Sequence, residues 1–202
     1  MARHGRTFVA LVGAIAVLGG LTGSASANRL SLSGTSFRAK WSSMRFSTEV
    51  LTGISCRLTI EGSFHSRTLV KVIGTLVGTV NAATGGGCNE GWSSRTLTEA
   101  FPWHIQYSLF TSALPNIARI IVNVIGFRIS ITEAFGATCL YRSTAERPLG
   151  MRFNREAGST LGGVELEGTL PATEVTCAPG TFGGTSGTVT SPAGTAIRLT
   201  LI

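Results

Sequence analysis

The sequence predicts an all-β protein: an antiparallel β-sandwich, jelly-roll or immunoglobulin-like, behind an N-terminal signal peptide. Three observations carry this. Apolar residues alternate with polar ones at period two through much of the chain. Glycine- and proline-bearing turns punctuate the alternating runs. No stretch shows a 3.6-residue apolar period with helix caps.

The chain begins with an address. Arg3, His4 and Arg6 precede an apolar run from Phe8 to Leu21, and Ala25-Ser26-Ala27 follows with small residues where a signal peptidase reads. Cleavage is expected after Ala27, leaving residues 28–202 as a single domain. The apolar run is shorter than the ~20 residues of a membrane-spanning helix, and the remainder of the chain carries no transmembrane span. These features place the product outside the cytosol, secreted or on the cell surface.

The strands follow in order. Cys56, Leu58, Ile60 and Phe64 share one face, opposed by Arg57, Thr59, Glu61 and Ser63. Val70, Val72, Leu76 and Val80 continue as the inward set of residues 68–82. Ile105, Tyr107 and Leu109 oppose His104, Gln106 and Ser108. Residues 117–125 are apolar on both faces and suit a central strand. Phe127, Ile129 and Ile131 form the next inward set, then Val164, Leu166 and Leu170, then Ile197, Leu199 and Leu201. One wet face per strand is how antiparallel sheets read. Short strands at this turn spacing suggest a sandwich over a barrel, and an outer-membrane barrel would need outward apolar bands flanked by aromatic girdles. The fifteen aromatic residues are too unevenly spread for that.

Composition excludes several chemistries. All ten acidic residues are glutamate, so Asp-rich calcium loops, an aspartic dyad and an Asp-completed triad are absent. Residues 28–202 carry fifteen basic side chains against ten acidic ones, a formal charge of +5. The basic residues are scattered rather than clustered in runs, so no nucleic-acid partner is expected.

Cys56, Cys88, Cys139 and Cys177 are an even set in an exported chain, and disulfides are the expected outcome. Three pairings are open. Sequential pairing, Cys56 with Cys88 and Cys139 with Cys177, is favoured because it closes two moderate loops. No CxxC spacing or histidine cluster points to a metal, and no cofactor is expected.

Candidate sites are few. Trp92, Trp103, His104 and Tyr107 could offer an aromatic platform to a sugar ring, but the favoured reading is that Phe101 and Trp103 plug one end of the core and cover the Cys56–Cys88 bridge. Glu165 and Glu167 are paired carboxylates on one wet face, with Glu61 on a similar hairpin. A glycosidase needs two carboxyl groups roughly 5–10 Å apart, but neighbours on a solvated strand are usually only solvated charges. Glu61, His65 and His104 could make a mixed metal site only if His104 converged on the other two. No catalytic residue is assigned.

The runs Cys56-Arg-Leu-Thr-Ile-Glu-Gly-Ser-Phe-His-Ser66, Phe101-Pro-Trp-His104 and Cys139-Leu-Tyr141 resemble a group of uncharacterised exported proteins of high-GC bacteria. The resemblance implies an extracytoplasmic β domain and supplies no site. The expected role is therefore a non-catalytic structural or protein-interaction module. Its partner would be a protein or a glycan of the cell envelope. Alternatives are a glycan-binding module built on Trp92, Trp103 and Tyr107, and a Glu-based secreted hydrolase.

Overall fold

In the computed structural model, residues 29–49, 53–111, 117–133 and 136–202 are described. The expected signal peptide, its cleavage site and the turn at 113–116 lie outside these residues. Fourteen β-strands and two short 3₁₀ turns form among them, so the all-β reading holds.

Eight strands make one continuous meander: β2 (Ser36–Ser47), β3 (Ile54–Phe64), β5 (Leu76–Gly86), β7 (Trp103–Thr111), β8 (Arg119–Ile125), β11 (Leu149–Glu156), β12 (Thr160–Leu170) and β13 (Gly180–Thr190). Each pairs antiparallel with the next, and β13 returns to pair with β2, Phe182 opposite Phe46 and Val189 opposite Ala39. The sheet therefore closes into an eight-stranded barrel, which corrects the sandwich expectation. Alternation looks the same in both architectures. What bends the sheet round on itself is a register shift in six of its ladders, including those at Trp41/Met44, Glu61/Gly62 and Tyr107/Leu109. Each bulge adds local twist and curvature.

An eight-stranded barrel is just wide enough for side chains to fill. This one is filled. Phe37, Phe64 and Phe153 meet at one end, with ring centroids 5.3 to 6.0 Å apart. Trp41, Met44, Ile105, Val122, Met151 and Leu166 are buried along the wall. The outer face carries Arg38, Lys40, Glu61, His104, Arg152 and Glu165, none of them buried. Apolar inside and polar outside is the reverse of a lipid-facing barrel.

A three-stranded extension of the barrel sheet and one separate small sheet complete the core. β14 (Ile197–Leu201) joins the start of β12 and continues through β1 (Arg29–Leu32) to β4 (Thr68–Val70), burying Leu30, Leu32, Leu69, Ile197 and Leu199. The other is a separate cap, with β9 (Arg128–Thr132) between β6 (Ser93–Thr96) and β10 (Thr138–Arg142). Phe127 packs on Trp103 at 4.9 Å, and Tyr141 packs on Phe46 at 4.9 Å and on Phe182 at 5.8 Å, so this cap sits over the opposite barrel end.

Both disulfides form, Cys56–Cys88 and Cys139–Cys177, with Cα–Cα distances of 4.0 and 5.9 Å. The first ties β3 to the loop after β5. The second ties the cap to the segment between β12 and β13. Such bridges suit an oxidising, extracytoplasmic setting.

Two expected inward sets change parity. Val70, Val72 and Leu76 are exposed, whereas Leu69 and Val77 are buried. Gly74, at φ +86°, turns the chain between β4 and β5, and a register shift follows between Leu76 and Gly78. Leu109 is likewise exposed, because the shift between Tyr107 and Leu109 rotates it outward.

Candidate functional site

The paired glutamates lie on the outer wall where β8, β11 and β12 run side by side. Glu165 opposes Arg152, and Gly150 opposes Glu167. The Arg152 guanidinium bonds Glu167 and lies 3.7 Å from Glu165, whose other oxygen is 3.7 Å from Arg119 and accepts from Asn154 Nδ2 at 3.0 Å. The hydrogen bond from Arg152 holds the Glu167 carboxyl below its ordinary pKa, and the same contact raises Arg152. Glu61 is paired in turn with Arg38 at 2.6 Å.

A glycosidase acid must carry a proton near neutrality, which requires a raised pKa. Glu167 is shifted the other way. All three glutamates are paired with arginines on the barrel's convex outer face.

The aromatic candidates do not share a surface. Trp103 and Tyr107 point into the barrel, 0% and 2% exposed. Trp103 stacks against Phe101 at 4.7 Å and Phe127 at 4.9 Å, and its buried Nε1 finds no hydrogen-bond partner among the described residues. Burial pushes the Tyr107 hydroxyl up from its ordinary pKa. His104 is exposed on the outer face opposite Thr79 and Ile125. A platform of Trp92, Trp103 and Tyr107 is thus not assembled. The alternative of a core plug at Phe101 and Trp103 describes the arrangement better. His65 and His104 are exposed, and no group of three or more metal-ligating side chains gathers among the described residues.

Trp92 alone borders an open space. It lines a cavity of about 70 Å³ between the cap and the barrel rim, with Phe46, Ile131, Glu133, Tyr141 and the Cys139–Cys177 bridge. The Tyr141 hydroxyl is pushed up to about 12, first by burial and then by the negative charges of Glu174 and Glu133.

A feature that alternation concealed lies at the far end of the barrel. Val70, Val72, Ile73, Leu76 and Leu109 are exposed there, Ile73 by 77% and Val72 by 55%. The segments are held together by backbone bonds from Gly74 N–H to the Tyr107 carbonyl (2.9 Å) and from Tyr107 N–H to the Thr75 carbonyl (2.8 Å). Lys71 Nζ lies 4.8 Å from the centre of the Phe110 ring. β4 stands last in its sheet, with no strand beyond it among the described residues. The signal available in sequence was Val72-Ile73-Gly74, two apolar residues running into a turn glycine.

Compared with known protein families, curated proteins and solved structures, the chain matches none of them.

Proposed function

We propose that the chain is an exported, non-catalytic module that works by contact with another protein, through the apolar end formed by Val70, Val72, Ile73, Leu76 and Leu109. The observation that carries this is the exposure of Ile73 and Val72 beside an unpaired strand edge. A clustered exposed apolar surface favours association, and an open edge strand offers backbone groups to an incoming segment. The pairing of Glu61, Glu165 and Glu167 with arginines supports the absence of an acid–base site. The glycan-stacking alternative retains only Trp92 at a surface, and the hydrolase alternative retains no free carboxylate pair among the three.

A photo-crosslinking residue at position 73, presented to envelope material of the producing cell, tests the reading. A discrete protein adduct from position 73, missing from position 59 on the outer barrel wall, is the expected result. Equal labelling from both positions overturns the interaction. Turnover in a hydrolase screen that disappears in Glu165→Gln or Glu167→Gln overturns the non-catalytic assignment.

A further inference from the structure

The cap sheet has two faces of different character. Phe127, Ile129, Ile131 and Tyr141 turn toward the barrel and are buried, as are Ser94 and Thr96. Residues of the opposite parity turn away: Arg95 on β6, Arg128, Ser130 and Thr132 on β9, and Thr138, Leu140 and Arg142 on β10. Arg142 stands directly opposite Arg128, and Arg95 stands opposite Ser130, diagonal to Arg128. Directly opposed residues hold their Cβ atoms about 4.5–5.5 Å apart and diagonal ones about 7–8 Å. Three guanidinium groups therefore rise from one small face.

Like charges directly across a ladder are unfavourable, and a nearby carboxylate would relieve them. Among the described residues, no carboxylate lies within ion-pair distance of Arg95, Arg128 or Arg142. The ion pairs among the described residues engage Arg38, Arg119 and Arg152. Glu174, beside the outer edge of β10, accepts from the Leu140 N–H at 2.8 Å instead. Glu133 follows Thr132, at the end of β9 remote from Arg128. Apart from Leu140, the rest of the face carries hydroxyls: Thr132 Oγ1 and Thr138 Oγ1 share a hydrogen bond of 2.9 Å, and Ser130 Oγ donates to the Arg95 carbonyl.

We propose that this face binds an anionic polysaccharide, its oxyanion groups taken up by Arg95, Arg128 and Arg142. The guanidinium fork bonds planar oxyanions in bidentate fashion, and the serine and threonine hydroxyls complement sugar hydroxyls between the charges. The outward residues include no aromatic side chain on which a nucleobase could stack, which separates the face from a single-stranded nucleic-acid site. The proposal is independent of the apolar end, which lies at the other end of the barrel.

Binding of the purified chain to heparin, polygalacturonate, neutral dextran, anionic phospholipid vesicles and a DNA duplex at about 0.15 M salt tests this. The expected result is binding to heparin or polygalacturonate and none to dextran. Arg128→Gln/Arg142→Gln weakens that binding by about tenfold or more. Lys40→Gln/Arg45→Gln removes the same charge from the β2 wall and changes it by less than about twofold. Circular dichroism confirms that both double variants remain folded, which outward side chains permit. Equal losses in the two double variants, no binding to either acidic glycan, or stronger binding to DNA or vesicles overturns the assignment.

Discussion

Trp41 Nε1 on β2 donates a hydrogen bond of 3.2 Å to the carbonyl of Gly184 on β13. The bond bridges the two strands that close the barrel, within a stretch where their ladder is interrupted between Gly183/Arg45 and Thr188/Lys40. The indole occupies space that side chains on β13 would take. A Cβ at Gly184 would lie 2.7 Å from Trp41 Cδ1, and one at Gly187 would overlap Nε1.

Gly184→Val and Gly187→Val are each expected to destabilise the fold by about 1–3 kcal/mol through overpacking against Trp41. Gly183→Ala, where a Cβ meets nothing within 4 Å, is the control and should cost less than either. Urea unfolding followed by Trp fluorescence measures all three.

Removal of either disulfide should lower stability by roughly 3–4 kcal/mol, given the loop-closure entropy of separations of 32 and 38 residues. Cys139→Ser/Cys177→Ser releases the segment that borders the cap. Its proteolytic cleavage should begin between β12 and β13, a site that peptide mapping identifies.

The Arg152–Glu167 contact sits on a partly exposed wall, so Arg152→Gln or Glu167→Gln should cost no more than about 1 kcal/mol at neutral pH. The Glu167 carboxyl is held below its ordinary value, so its contribution is present above the unfolded pKa of about 4.3 and fades as pH falls through the lower folded value. The stability difference between wild type and Glu167→Gln should therefore shrink below about pH 4, as measured by denaturation across pH.

Both tyrosines of the chain, Tyr107 and Tyr141, have raised hydroxyl pKa values, Tyr141 to about 12. A raised folded value means stability that is full below the unfolded pKa of about 10 and lost as pH climbs toward the folded one. Phenolate absorbance should rise at higher pH in the folded protein than in the unfolded chain, with Tyr141 the later of the two steps. Tyr141→Phe should remove the step near pH 12.

Local alternation made many individual strands legible. Phe127, Ile129 and Ile131, then Val164, Leu166 and Leu170, turn inward as their period demands, because parity depends only on neighbours in the same strand. β2 carries the same signal: Phe37, Ala39 and Trp41 alternate with Arg38 and Lys40. Val70, Val72 and Leu109 alternate as an inward set would, yet are exposed. A turn or bulge resets parity, and nothing in an apolar residue records that its neighbour is bulged. The glutamate pair was readable as a pair. Its neutralisation was not, because Arg152 and Arg119 arrive from two other strands.

By itself the sequence determined that this is a β protein with alternating wet and dry faces, with four cysteines and no aspartate. Those properties are local or compositional. Only the tertiary structure decided that the sheet closes on itself, that Trp103 and Tyr107 are core, and that Arg128 and Arg142 stand side by side. Each of these depends on pairing between residues distant in sequence, and the registers and bulges that set such pairing are fixed by the packing of the whole barrel rather than by any one strand.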